Sequence, residues 1–155
     1  MRRFSRIFAW TTLFFVAGAV LFFTKAAALP YKAAWPVLLL SLATFLSRRR
    51  ELLPFGFAFL FSAAGDAVGA RGLFIPQMAF FALAHVAYVC WFLPRARRRL
   101  RAVSLAVTVP LLVFLFAAIV PEAPFTAERI GVAVYGLVIA AMLYSALQYD
   151  GACAA

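Results

Sequence analysis

What most constrains this chain is a succession of six apolar runs, parted by short knots of arginine and covering about residues 8–28, 31–47, 52–70, 73–93, 103–120 and 130–148. A helix needs about 20 residues to cross a hydrocarbon core of about 30 Å, and only helices or closed barrels satisfy every backbone polar group there. Hydrophobic residues are 67% of the sequence and charged residues 13%, so no soluble domain fits beside the runs. The expected fold is all-α, a polytopic transmembrane helical bundle of about six spans forming a single integral membrane domain over residues 1–155.

Each run has its own punctuation. The first follows the basic leader Met1 to Arg6, and the apolar stretch Phe8 to Phe23 precedes Lys25 and Ala26-Ala27-Ala28. A secretory signal peptide has that shape too, but its core is 7 to 15 residues and more spans follow here, which favours an uncleaved helix. The second run, preceded by Pro30, carries Pro36 near its start and ends at Arg48-Arg49-Arg50. Pro54 and Pro76 fall in the first turns of the third and fourth spans, where a missing backbone donor does little harm. A very short turn around Arg71-Gly72 joins those two spans, predicting an antiparallel hairpin. Pro110 predicts a kink in the fifth span, and Pro121-Glu122-Ala123-Pro124 ends it.

The formal net charge is +10, which in a soluble chain would suggest nucleic acid. Here the arginines sit between apolar runs instead of along one polar face, so they read as topology signals and lipid-headgroup contacts, with no nucleic-acid partner. On alternate sides of six spans, eleven Lys and Arg fall with the amino end and the 48–50 and 95–101 clusters, against four (Lys25, Lys32, Arg71 and Arg129) opposite. That asymmetry places both termini in the cytoplasm, in the manner of a bacterial inner (plasma) membrane protein. Cys90 and Cys153 have neither metal-ligand spacing nor a disulfide framework. The sequence leaves the oligomeric state open.

Candidate chemistry begins at Asp66, a carboxylate within an otherwise apolar segment. Insertion at membrane depth costs on the order of 2.5 to 3.5 kcal/mol, so such a group is by default functional and faces the protein interior or a wet cavity. The alternative is a structural hydrogen-bonder between helices. Ser62 shares its face, four residues earlier. Gly65 and Gly69 form a small-x-x-x-small pair that lets a neighbouring backbone come close, for which packing is sufficient explanation. On the fourth span Gln77, Phe81, His85 and Tyr88 recur at spacings of four, four and three and fall on one stripe. Alone, His85 or Tyr88 would be an ordinary packing residue; with Asp66 on the partner helix they point to a polar cavity. In a tight hairpin Asp66 lies level with Gln77, while His85 is about 12 Å further along at 1.5 Å per residue. Both can line one elongated site for an amphiphile, with Lys32 at the outer end near a phosphate. One histidine and one aspartate do not make a zinc site, and no motif calls for a cofactor.

Phe61-Ser62-Ala63-Ala64-Gly65-Asp66, followed by Ala84-His85-Val86-Ala87-Tyr88, resembles the F-S-x-x-G-D and A-H-x-x-Y signatures of the YhhN family, the lysoplasmalogenases. The specific part covers about residues 52–93. The resemblance implies a membrane hydrolase that cleaves the vinyl ether bond of lysoplasmalogens, its lysophospholipid substrates, to a fatty aldehyde and a glycerophospho-headgroup. Asp66 would then be the catalytic acid or base, with His85 and Tyr88 orienting water or substrate. Lys32, Ser62 and Gln77 would bind substrate or hold Asp66. A buried carboxylic acid can supply the proton that vinyl ether hydrolysis needs.

Two features depart from the family pattern. Trp35-Pro36 stands where the family has Lys-Pro, with Lys32 nearby as a substitute. The family's later segment with a second aspartate has no counterpart before Ala155, so about two spans of the pattern are missing, and Asp150 is the only other aspartate. Three readings follow: a vinyl ether hydrolase, a non-catalytic lipid-binding relative without the last helices, and a small transporter or channel component using Asp66 and His85.

Overall fold

The computed structural model describes residues 2–23, 32–47 and 49–149. Lys25, Pro30, Arg48, Asp150 and Cys153, all singled out in the sequence, lie outside the described residues, as do the end of the first run and the start of the second. Six α-helices follow one another: α1 Arg2–Phe23, α2 Ala34–Leu46, α3 Leu53–Gly69, α4 Phe74–Phe92, α5 Arg101–Phe114 and α6 Thr126–Leu147. The described residues contain no β-strand.

Six helices do not make six spans of equal standing. Among the described residues, four stretches are long and apolar enough to cross a membrane: Arg50–Gly69, Phe74–Arg95, Arg98–Glu122 and Thr126–Leu147. The second run yields a helix of 13 residues, about 20 Å at 1.5 Å per residue, against a core of about 30 Å. Of the about six spans expected, four are supported by length and composition among the described residues.

Boundaries moved for identifiable reasons. α6 begins at Thr126, four residues before its apolar run, because helical hydrogen bonding does not wait for hydropathy. Glu128 lies in the first turn, where the helix dipole favours an anion, and Arg129 Nε donates to Ala123 O at 2.8 Å. α5 continues through Pro110; its regular pattern gives way five residues later to a π turn at Leu115–Ile119. Val120–Glu122 closes that segment and Ala123 is extended, as the proline-flanked Pro121–Pro124 sequence requires.

The chain divides into two packed units, Met1–Phe80 and Phe81–Ala155, with the division inside α4. In the first unit, α1 meets α2 where Gly18 faces Pro36, whose Cα would lie 2.7 Å from any Cβ at position 18. α2 meets α3 through Ser41, whose hydroxyl donates to Gly56 O at 2.8 Å, and through the Phe45 ring against Gly56. In the second unit, Leu115 of the π turn occupies the space beside Gly136 of α6.

The burial pattern is inverted relative to a water-soluble fold. The largest fully buried side chains among the described residues are Ser41, Ser104 and Ser145, whereas Val103, Leu105, Val113 and Phe114 are exposed. On α5 the buried positions are Ser104 and Thr108. Small and hydroxylated residues inside with branched apolar residues outside is the arrangement expected where lipid solvates the apolar face and helices associate by close packing. The chain is built as an integral membrane protein.

Candidate functional site

Asp66 occupies the last turn of α3, the helix end whose dipole does not favour an anion. The turn that follows is closed by Ala70 N–H to Asp66 O at 3.0 Å, Arg71 N–H to Val68 O at 3.0 Å and Gly72 N–H to Gly69 O at 2.8 Å. Gly72 has φ 74°, a left-handed conformation that glycine adopts without penalty. That permits α4 to start at Phe74.

The short turn brings α4 back onto α3 at one point. The amide group of Gln77 lies directly over Gly69, filling the space a Cβ would need. Gly69 is three residues beyond Asp66 and on the same helix face, so the Gln77 amide is held one turn from the carboxylate. Among the described residues, no group donates a hydrogen bond to the Asp66 carboxylate. Asp66 and Ser62 are both half-buried, and Gly65 between them is buried.

His85 and Tyr88 lie on the part of α4 belonging to the second unit. His85 Nδ1 is 2.6 Å from Phe81 O. A carbonyl only accepts, so Nδ1 carries the proton and donates, and in the neutral ring Nε2 remains an acceptor. The His85 ring packs edge-on against Tyr88, centroids 6.3 Å apart, and against Tyr135 of α6 at 5.6 Å. Tyr135 is a member of this cluster that the sequence reading missed. Its only signal is a phenol in the middle of the sixth apolar run, which hydropathy scores as an ordinary aromatic.

The sequence-derived residues therefore fall into two groups. Asp66, Ser62 and Gln77 gather at the α3–α4 turn, and His85, Tyr88 and Tyr135 gather on α4 and α6. Lys32 is half-buried in the turn that precedes α2, and no hydrogen bond or ion pair among the described residues joins it to either group.

The model of the YhhN family matches this chain over residues 22–155, a stretch that contains both groups. No curated protein and no solved structure matches the chain.

Proposed function

This chain belongs to the YhhN family, and from that premise we propose that it is a lysoplasmalogenase-like hydrolase, cleaving the vinyl ether bond of lysophospholipids within a bacterial inner membrane. The observation that carries the reading is Asp66, a carboxylate in the last turn of an apolar helix with no hydrogen-bond donor among the described residues, preceded by the family's F-S-x-x-G motif.

The chemistry assigned to Asp66 is proton transfer. The protonated carboxyl delivers its proton to the alkene carbon remote from the ether oxygen, forming a C–H bond and leaving an oxocarbenium ion stabilised by that oxygen. Water adds to the cation and returns a proton to the carboxylate, giving a hemiacetal. The hemiacetal then loses its C–O bond to the glycerol carbon's oxygen, which takes the hydroxyl proton, and the fatty aldehyde leaves. One water is consumed and the carboxyl is regenerated. His85, with Nε2 as acceptor, and Tyr88, with its phenol, are assigned to orienting water or substrate. Gln77 holds the Asp66 region, and Lys32 and Ser62 bind the polar part of the substrate.

In the orientation proposed here, both termini and the 95–101 loop face the cytoplasm. Cysteines introduced at Arg98 and Glu122 should then be labelled from opposite sides. The functional test is Asp66→Asn in the purified full chain: the amide keeps the shape and cannot supply an acidic proton, so aldehyde release should stop while folding persists. Undiminished turnover by that variant refutes the assignment.

A further inference from the structure

The loop joining α4 to α5 carries Arg95, Arg97, Arg98, Arg99 and Arg101, and no Asp or Glu occurs between Asp66 and Glu122. Such a density of positive charge needs anions from outside the segment.

The loop's backbone is fixed. Arg97 N–H donates to Gln148 O at 2.9 Å, and Ala96 pairs with Tyr149 in an isolated antiparallel bridge, so the loop is tied to the end of α6. Gln148 is itself 3% exposed and its Nε2 donates to Tyr144 O at 3.1 Å. Beneath the loop is an aromatic floor: the Tyr149 ring lies 5.0 Å from Trp91 and 5.7 Å from Phe92. Arg95 is folded back on this floor, its guanidinium 4.6 Å from the Trp91 ring centre and its Nη1 donating to Trp91 O at 2.8 Å. Arg95, though exposed, is thereby held by the protein, whereas the Arg98 and Arg101 side chains, also exposed, make no hydrogen bond or ring contact with a described residue.

We propose that this loop is a docking surface for anionic glycerophospholipids, with Arg98 and Arg101 taking the headgroup phosphate. Amphipathic rings such as Trp and Tyr sit at the level of the headgroups, which sets the arginines at phosphate height. Guanidinium forks match phosphate oxygens in pairs. A membrane lipid is favoured over a soluble phosphate because apolar surface begins two residues past Arg101: Val103 is 59% exposed and Val107, one turn further on the same face, 45%, and an acyl chain can lie along both. The inference is independent of whether the chain is a hydrolase.

The test is native mass spectrometry of the full chain in detergent, titrated with phosphatidylglycerol or phosphatidylcholine. Phosphatidylglycerol should bind more tightly. An arginine near an anionic surface is worth about 5-fold in binding, so R98Q/R101Q should weaken phosphatidylglycerol by about 30-fold and phosphatidylcholine, whose phosphate is offset by its own choline, by less. A Gln pair that binds phosphatidylglycerol as tightly as the unaltered chain overturns the proposal. Soluble glycerol phosphate at the lipid's concentration should not compete, and competition there would name free phosphate as the ligand and overturn it too. Should the Gln pair lose both lipids, R98K/R101K decides: it keeps the charge without the fork, so it must still bind phosphatidylglycerol more tightly than phosphatidylcholine, and loss of that preference overturns the proposal.

Discussion

The α3–α4 turn and the His85 cluster both put polar side chains on apolar helices, yet they hold them by different means. At the turn, Asp66 accepts no hydrogen bond from any described residue, and its neighbour Gln77 is positioned by a fit against Gly69. In the cluster, one ring nitrogen of His85 is committed to Phe81 O and the ring is flanked by two tyrosines. A carboxyl with no fixed donor is free to exchange a proton with a substrate. A ring pinned through Nδ1 is suited to presenting Nε2 in one direction. Under the proposed function, the first group suits proton transfer and the second suits orientation.

The largest effect that can break this assignment is at Asp66. Asp66→Asn should lower aldehyde release from a lysoplasmalogen by at least about 100-fold, the lower end of what a positioned acid contributes, with lysophospholipid binding retained in a direct binding assay. His85→Gln should cost about 10-fold, because water can replace part of what an orienting group does. Steady-state rates of the two purified variants under one condition check the ranking. Equal losses would erase the distinction, and a greater loss at His85 would reverse it.

How far these groups could be read in the sequence depends on the kind of signal each leaves. Asp66 was legible because an isolated charge in an apolar run is costly and therefore conspicuous. That Gln77 returns to the end of α3, over Gly69, followed from the shortness of the Arg71-Gly72 turn. Tyr135 left no such mark, since the contact that matters is with His85, fifty residues earlier and visible only once α4 and α6 are in place. Helix ends were blurred for a related reason: hydropathy locates what lipid can solvate, whereas Thr126 and Arg101 begin α6 and α5 through backbone hydrogen bonding that polar residues join equally well. The apparent second span shrank to Ala34–Leu46, because apolar composition does not oblige every residue of a run to be helical.

A smaller effect sharpens the claim that Gln77 is positioned by fit. Gly69→Ala would gain up to about 1 kcal/mol of helix propensity, but its methyl would collide with the Gln77 amide. The colliding atoms are the far end of a flexible side chain, so the helices need not part. Stability should stay within about 1 kcal/mol of the parent, while activity falls by about 10-fold as the amide is turned away from Asp66. Gln77→Ala should give a similar loss, and the double variant no more than either alone, since both remove the same placement. Additive losses would mean that Gly69 acts on something other than Gln77.

The smallest effect separates two buried hydroxyls, one in each unit. Ser41 is 1% exposed and bridges two helices by its bond to Gly56 O, whereas Thr108 is 5% exposed and its hydroxyl has no hydrogen-bond partner among the described residues. Removing a hydroxyl that has a partner loses about 0.5 to 1.5 kcal/mol, with interhelical bonds in membranes averaging about 0.6 kcal/mol, whereas removing one that has none relieves a desolvation cost. Ser41→Ala should therefore lower stability by up to about 1 kcal/mol and Thr108→Val should leave it unchanged or raise it. Reversible unfolding in mixed detergent micelles resolves a difference of that size if both variants are compared with the parent at one protein concentration. A destabilised Thr108→Val would show that its hydroxyl finds a partner in the membrane after all, and would place a second polar contact inside the α5–α6 unit.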